Sequence, residues 1–321
     1  MGRFSFLRSH WSVFCALCII GLLNNFPWSY STIPRDEIGE NLRSAHPGLA
    51  DYSRFCDVKS LPGVKIVKVN ETVPHEQELS DLAEKLDVRA GGQWNPSSCR
   101  SLYQSVIVVP YRRRPDQLKI FVKHMHNFLS QQGLEYSIVI VNQADEELFN
   151  RGALLNVGFL ETEKILGSDK KNPSRCYVFH DVDLLPENLG NIYACTRQPR
   201  HMSVAVSSLR YTLPYPDIVG GALAVAVDQF RVVNGFPVSY AGWGGEDDDL
   251  GRRFKAAGLS VERFEADVSR YRMLVHKKAV PGEARFKQAS LSEGLSSLKY
   301  SVLSVQKTAL YTQINVDLSS S

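Results

Sequence analysis

The chain has 321 residues, enough for one large domain or two small ones, and 44% of them are hydrophobic and 22% charged. This is an ordinary globular composition, which excludes a disordered or collagen-like chain. The 37 basic and 34 acidic residues nearly balance, so we expect no nucleic-acid partner, which would need a clustered basic surface.

The chain begins with a short basic segment followed by an apolar one. Residues 11–28 are mostly apolar, and Arg3, Arg8 and His10 precede them. About 18 residues are near the minimum that spans a bilayer, and basic flanks stay on the cytoplasmic side. We predict a cytoplasmic tail over 1–10 and an uncleaved signal-anchor helix over 11–28, with the remainder lumenal. A cleaved signal peptide is the alternative.

A lumenal location bears on the cysteines and on glycosylation. Cys15 and Cys18 lie inside the apolar segment, which leaves four lumenal cysteines. Disulfides persist in the secretory pathway, so we expect two of them, and four cysteines allow three pairings. Asn70 begins the sequence Asn-Glu-Thr and is therefore a candidate glycosylation site.

The lumenal part divides into a weakly patterned segment and a regular one. Residues 29–93 are expected to form a stem, with one short helix over 76–86. From residue 105 onward, buried-strand runs alternate with segments of helical periodicity. The predicted strands are 105–110, 136–142 and 176–179, and the predicted helices are 115–131 and 149–164. This alternation predicts parallel βαβ units in an α/β fold, with ligands beyond the carboxyl ends of the strands.

Charged residues follow these predicted strands. Arg112, Arg113 and Arg114 come after the first strand, and Asp181 and Asp183 come after the third. Guanidinium groups suit phosphates, and paired carboxylates suit hard cations such as Mg²⁺, Mn²⁺ or Ca²⁺. Each motif alone is also compatible with a solvated turn or loop. Together at one sheet edge, they favour a nucleotide diphosphate bridged by a metal.

The sharpest motif is GWGGEDDD over residues 242–249. Acids in a first helical turn interact favourably with the helix dipole, so a helix is expected to begin here. The glycine-rich segment around Trp243 indicates a mobile sugar-binding lid beside a general base. Met273 and His276 lie three residues apart, a spacing that alone argues little for a metal.

Taken together, these motifs resemble the beta-1,4-galactosyltransferase family of Golgi type II glycosyltransferases. The similar segments keep the same order between residues 94 and 318, and GWGGEDDD is the most specific of them. They include WNPSSC (94–99), PYRRR (110–114), FNR (149–151), FHDVDL (179–184), QPRH (198–201), LPY (213–215) and NGF (234–236).

The resemblance implies a GT-A type nucleotide-diphospho-sugar transferase fold over residues 94–321, with a single mixed, largely parallel sheet flanked by helices. It implies an inverting, Mn²⁺-dependent transfer from a UDP-sugar donor to the 4-hydroxyl of a terminal GlcNAc on glycoprotein or glycolipid glycans. It also implies attachment to the Golgi membrane through the N-terminal anchor, with a lumenal catalytic domain.

The resemblance assigns roles to individual residues. The metal ligands would be Asp183, Met273 and His276. The general base would be Asp247, with Glu246 and Trp243 in the same catalytic set. The donor site would comprise Pro110, Arg112, Arg114, Phe149, Arg151, Asp181, Val182, Asp183, Ile218 and Trp243. The acceptor site would comprise Tyr215, Gly221, Glu246, Asp247, Asp248, Arg285 and Phe286. The implied disulfides are Cys56–Cys99 and Cys176–Cys195.

Ile218 departs from the family pattern. Galactose-using members carry a tyrosine two residues before the glycine pair that Gly220 and Gly221 match here. A smaller aliphatic side chain leaves room for a 2-acetamido group, as in invertebrate members that transfer N-acetylgalactosamine. We therefore predict UDP-GalNAc as the preferred donor and keep UDP-Gal as the alternative. An inactive sugar-binding homologue and a metal-dependent hydrolase are less favoured.

Overall fold

The computed structural model describes residues 31–44, 56, 65–101, 103–167, 175–276, 281–283 and 288–319. The predicted signal anchor and two predicted acceptor residues, Arg285 and Phe286, lie outside these ranges. Within them, no helix is both long enough and apolar enough to cross a membrane.

Two sheets organise the described residues. The strands in chain order are β1 (Gln93–Trp94), β2 (Gln104–Tyr111), β3 (Glu135–Gln143), β4 (Arg175–His180), β5 (Leu184–Pro186), β6 (Arg200–His201), β7 (Ala205–Val206), β8 (Ala222–Ala226), β9 (Arg270–Met273), β10 (Ser301–Lys307) and β11 (Thr312–Asp317). The helices are α1 (Ile38–Ser44), α2 (Glu76–Lys85), α3 (Pro115–Leu129), α4 (Arg151–Leu166), α5 (Val227–Val232) and α6 (Glu246–Ala256). Short 3₁₀ helices occupy Arg35–Glu37, Ser130–Gln132 and Ser207–Leu209.

The larger sheet has eight strands in the order β10-β11-β3-β2-β4-β8-β6, with β1 pairing onto β3. Its four central strands, β11, β3, β2 and β4, are parallel, whereas the outer pairs are antiparallel. The predicted βαβ units are confirmed as β2-α3-β3-α4-β4, with element bounds within a few residues of those predicted.

The expectation of a single, largely parallel sheet is correct only for this centre. Antiparallel strands lie at both edges, and β5, β9 and β7 form a separate three-stranded sheet. These strands are short, and the residues that pair are far apart in the chain, so local periodicity could not reveal them.

Helices cover both faces of the central strands. Ile107 and Val109 belong to the apolar core with Phe121 of α3, whereas Val106 and Val108 belong to the core with residues of α4. Successive strand residues point to opposite faces, so a strand buried on both faces is apolar at every position. This burial explains the uninterrupted hydrophobic run that marks β2 in the sequence.

Parts of the segment predicted as a stem pack against this core. Leu42 of α1 and Leu79 of α2 belong to the same apolar cluster as α3. The amide of Val67 donates to the carbonyl of Glu187 at 2.7 Å. The helix predicted over 76–86 is confirmed as α2. The domain boundary at residue 93 stays a prediction.

Both predicted disulfides are confirmed. Cys56 is bonded to Cys99, and Cys176 in β4 is bonded to Cys195. The second bridge ties β4, whose other end leads to the predicted metal-binding segment, to the buried chain that precedes β6.

Candidate active site

The segment after β4 brings the predicted metal ligands together. Asp183 is only 4% exposed, and its Oδ2 accepts from Arg114 Nη1 at 3.0 Å and from His276 Nδ1 at 2.8 Å. β5 pairs with β9 so that Leu184 lies opposite Met273, and Leu274 N donates to Asp183 O at 2.7 Å. The short second sheet therefore places Met273 and His276 beside Asp183, although the residues are far apart in sequence.

The contacts of Asp183 determine its charge and that of His276. Burial alone would raise the pKa of Asp183, but the hydrogen bond from His276 and the charges of His276 and Arg114 lower it overall. The same hydrogen bond raises the pKa of His276. With its proton on Nδ1, a neutral His276 carries its lone pair on Nε2, the atom that could ligate a metal.

These groups fit a divalent cation. Asp183 supplies a buried carboxylate oxygen, His276 an imidazole nitrogen and Met273 a thioether that Ser208 Oγ contacts at 2.9 Å. In the part of the chain that the structure describes, no three His, Cys, Asp or Glu side chains are arranged to hold a metal ion, so a three-ligand site here depends on the thioether. Thioethers are uncommon ligands for hard cations, but carboxylate and imidazole are ordinary ones.

Arg151 joins this cluster to a second group of carboxylates. Asn150 caps α4 by accepting from Ala153 N at 2.9 Å, which places Arg151 in the first turn. Its Nε donates to Asp181 Oδ1 at 2.7 Å, and its Nη1 lies 3.3 Å from Glu246 Oε1. Burial raises the pKa of Asp181, partly opposed by the charge of Arg151. One guanidinium is therefore shared by the buried carboxylate of Glu246 and the partly exposed carboxylate of Asp181.

The acidic motif begins α6. Gly245 caps the helix with a φ of 101°, a left-handed conformation that glycine adopts without strain. Glu246 is 6% exposed, and its Oε2 has no hydrogen-bond partner. Burial, followed by the charge of Asp247, raises the pKa of Glu246 to about 7. Asp248 accepts from the Tyr215 hydroxyl at 2.8 Å, and burial raises the pKa of its carboxyl.

Asp249 has a structural role that separates it from the other three acids. It accepts from Arg253 Nε at 2.8 Å, from Arg252 Nη2 at 2.7 Å and from the Tyr240 hydroxyl at 2.8 Å. Its carboxylate thus points into the interior and anchors α6, and does not face the site.

The glycine pair, Gly220 and Gly221, contacts residues of both groups. A Cβ atom at Gly220 would overlap Oδ2 of Asp247, so that carboxylate lies directly against the Gly220 backbone. The carbonyl of Gly221 accepts from Asp181 N at 3.1 Å and from Arg151 Nη2 at 3.4 Å. Ile218, which is half-buried, precedes this pair in the same loop.

Two of the predicted donor residues, Arg112 and Phe149, lie beside each other. The Arg112 guanidinium lies 5.5 Å from the centre of the Phe149 ring. The Phe149 carbonyl accepts from Gly242 N at 2.9 Å, which ties this pair to the glycine-rich loop. Trp243 of that loop is 61% exposed, and its carbonyl accepts from Gly282 N at 3.0 Å.

Two apolar residues of the predicted donor site offer no exposed side chain. Val182 is 4% exposed and packs in the apolar core, and Pro110 is buried within β2 opposite Val141 of β3. Contact with a ligand at these positions would therefore involve the backbone.

Comparison with known proteins identifies the family. A profile described as the N-terminal region of glycosyl transferase group 7 matches residues 56–196. A second, described as the N-terminal domain of galactosyltransferase, matches residues 200–277. The chain belongs to the beta-1,4-galactosyltransferase family.

Relatives and solved structures agree with this assignment. Beta-1,4-galactosyltransferase 1 of Homo sapiens is 44% identical over 267 residues, which cover 80% of this chain and 65% of the relative. Beta-1,4-galactosyltransferase 4 of Cricetulus griseus is 38% identical over 248 residues, covering 74% and 70%. The chain thus spans slightly less than two thirds of the human relative.

The catalytic domain of Drosophila beta-1,4-galactosyltransferase 7, solved with xylobiose, has 30% identity and a TM-score of 0.57, covering 67% of this chain and 94% of that one. A variant of the Drosophila protein was solved with manganese, UDP-Gal and xylobiose, at 29% identity and a TM-score of 0.56, over the same shares of the two chains.

For this galactosyltransferase-family chain, sequence reasoning missed one group of residues beside the site. Arg263, His201 and Ser203 are buried and contact the backbone of the loop that carries Ile218 and Gly220. Only His201 stood in a motif, QPRH, and nothing in that motif indicated which group it contacts.

Proposed function

We propose that this chain is an inverting, Mn²⁺-dependent beta-1,4-N-acetylgalactosaminyltransferase that acts on terminal GlcNAc. Membership in the family supports the reaction class. The observation that carries the donor assignment is the half-buried aliphatic Ile218, two residues before the Gly220 backbone that touches Asp247. A side chain of this size leaves space beside the sugar for an acetamido group.

The chemistry follows from the positions of the two carboxylate groups. Asp247 takes the proton of the acceptor hydroxyl as the hydroxyl oxygen attacks the anomeric carbon. A single displacement converts an alpha-linked donor into a beta-linked product. Arg112 and Arg114 interact with the diphosphate, and Asp183, Met273 and His276 would hold the Mn²⁺ ion. When bound, the ion supplies Lewis-acid stabilisation of the negative charge on the departing UDP.

Glu246 and Trp243 would assist without exchanging the proton. Glu246 lies beside Asp247 and shares the Arg151 counterion, so its ionisation changes the charge felt by the base. Trp243 is exposed on a loop with glycines on both sides, which suits a side chain that closes over bound sugars and excludes water.

The donor assignment is tested by measuring transfer to a GlcNAc acceptor from UDP-GalNAc and from UDP-Gal. We expect a higher kcat/KM with UDP-GalNAc. In Ile218→Tyr, the added ring fills the acetamido space, and the ratio should shift toward UDP-Gal by about 10- to 100-fold. Val232→Tyr, at an exposed position on α5, is the control for an added ring and should leave the ratio unchanged. A wild-type preference for UDP-Gal contradicts the proposal.

UDP-Gal is a second candidate donor because of the relatives. The similar proteins are named galactosyltransferases, and the Drosophila structure is a complex with UDP-Gal. The same assay decides between the two donors. Release of UDP that does not depend on acceptor would instead indicate a hydrolase, and absence of turnover would indicate a sugar-binding homologue.

We also propose that residues 11–28 anchor the chain in the Golgi membrane with its catalytic part in the lumen. The basic N-terminal flank and the disulfides Cys56–Cys99 and Cys176–Cys195 support a secretory location. The exposed Asn70 supports it further as a potential glycan acceptor. Protease protection of a C-terminal tag in sealed Golgi vesicles tests the topology, and a digested tag would refute it.

A further inference from the structure

A buried arginine holds the loop that carries Ile218. Arg263 is 5% exposed, and its Nη2 donates to the carbonyl of Pro216 at 2.7 Å and to the carbonyl of Ile218 at 2.9 Å. A guanidinium is a rigid planar fork, so it fixes the two carbonyls relative to each other as well as to itself.

Two further side chains hold the carbonyl of Gly220, two residues after Ile218. His201 Nε2 lies 2.9 Å and Ser203 Oγ 3.0 Å from the carbonyl of Gly220. Ser203 Oγ also accepts from Ala222 N at 2.9 Å. The carbonyls of residues 216, 218 and 220 are thus each engaged by a buried donor.

Arg263 also determines the tautomer of His201. Its Nε lies 3.3 Å from His201 Nδ1, and a guanidinium can only donate, so Nδ1 accepts and Nε2 carries the proton. Burial and the Arg263 charge lower the pKa of His201 to about 3, so the ring is neutral. Arg263 therefore orients the proton that His201 donates to Gly220.

Two functional positions depend on this loop. The side chain of Ile218 leaves the backbone between the held carbonyls, and Gly220 lies against the Asp247 carboxylate. A shift of the loop would move the donor-discriminating side chain relative to the base. We propose that Arg263, acting with His201 and Ser203, is a positioning residue that sets donor selectivity by fixing the 216–221 loop. This inference rests on the proposed transferase function.

The test compares the full chain with Arg263→Lys and Arg263→Met. Calorimetry with Mn²⁺ gives the affinities for UDP, UDP-GalNAc and UDP-Gal, and turnover gives kcat and KM for both donors. We expect the ratio between the two sugar donors to move toward unity by about fivefold or more, as loss of two or three hydrogen bonds predicts. Affinity for UDP alone should stay within about twofold, because the Arg263 contacts described above are with the loop and His201, whereas Arg112 lies over the Phe149 ring.

Arg175→Lys is the matched control. Arg175 is another shielded arginine, which contacts Glu163 and the carbonyl of Gly167 near the opposite end of β4. The Arg175→Lys variant should be less stable than wild type, but its ratio between UDP-GalNAc and UDP-Gal should not change. Ser203→Ala should move the ratio in the same direction by about two- to threefold, and it serves if the Arg263 variants do not fold.

The inference is overturned if the ratio is unchanged in folded Arg263 variants, or in Ser203→Ala when those do not fold. It is also overturned if affinities for UDP and both donors fall equally. Its failure is distinct from failure of the proposed function. A wild-type preference for UDP-Gal refutes only the donor assignment. If the chain has no transfer activity, the ratio of its affinities for the two sugar donors still tests the role of Arg263.

Discussion

Asp183 and Glu246 are nearly equally buried, at 4% and 6% exposure, yet their pKa values move in opposite directions. Two nitrogen donors, from Arg114 and His276, contact the same oxygen of Asp183. Glu246 has only a longer contact with Arg151, which is closer to Asp181. Burial raises the pKa of both carboxyls, so the opposite directions come from the neighbouring charges: His276 and Arg114 lower the pKa of Asp183, whereas Asp247 raises that of Glu246 further.

The contrast divides the site into two halves with different uses. The half around Asp183 preserves a full negative charge, which suits a cation ligand. The half around Glu246 keeps acids close together with little compensation, which suits proton exchange. Arg151 connects the halves, so a change in one should be felt in the other.

The largest expected effect comes from breaking the ionised half. Asp183→Asn removes the proposed Mn²⁺ ligand, and transfer should fall by about 1,000-fold or more because metal stabilisation of the leaving group is worth several kcal/mol. Mn²⁺ affinity, measured by calorimetry, should fall in parallel. Glu71→Gln is the control. It alters the exposed carboxylate that pairs with Arg272 of β9, the strand next to β5. Unchanged Mn²⁺ affinity in Asp183→Asn would exclude this carboxylate as a ligand.

Asp247→Asn removes the proposed base from the half of the site around Glu246. Without the base, kcat should fall by about 100- to 10,000-fold, whereas UDP and Mn²⁺ affinities persist. Asp228→Asn, an acid in the first turn of α5 outside the site, should keep normal kcat. Full transfer by Asp247→Asn would remove that residue from its role.

Glu246→Gln tests the raised pKa of Glu246, because it replaces the carboxyl with a group that does not titrate. A carboxyl whose folded pKa is about 7, against 4.5 in an unperturbed chain, stabilises the fold below pH 4.5 and loses this contribution as pH rises through 7. Between pH 5 and pH 8, the variant should gain about 1–3 kcal/mol relative to wild type. Urea unfolding of both chains at several pH values measures this gain, and parallel pH profiles would contradict the raised pKa.

The smallest effect is expected at Tyr215, which contacts Asp248 in the half of the site around Glu246. Tyr215→Phe removes the hydroxyl that donates to Asp248, and the acceptor KM should rise by about two- to tenfold, the value of one hydrogen bond. Tyr211→Phe, which removes a hydroxyl contact to Glu187, is the matched control and should leave KM unchanged. Equal KM values in the two variants would separate Asp248 from acceptor binding.

Local patterns were sufficient to predict the central fold. Helical and strand periodicity placed β2, α3, β3, α4 and β4, because each element buries apolar residues at its own repeat. The outer strands and the second sheet were not predictable this way, since pairs such as Leu184 with Met273 depend on contacts between distant segments.

The same distinction, between local patterns and contacts of distant segments, applies to the site residues. Asp181, Asp183 and the acids of 246–249 could be singled out because neighbouring residues form each motif. Met273 and His276 were implied only by family resemblance, because the β5–β9 pairing creates their proximity. Arg263 was missed, since an isolated arginine in a loop carries no sign that its fork will meet two backbone carbonyls.

The close approach of Gly220 to Asp247 limits how this protein can be altered. Any side chain at position 220 would push the carboxylate out of place, so a mutational library should find that position intolerant. Position 218 lies two residues away and already carries a half-buried side chain. Directed evolution of a new donor should therefore accumulate changes at 218 while leaving the glycine untouched.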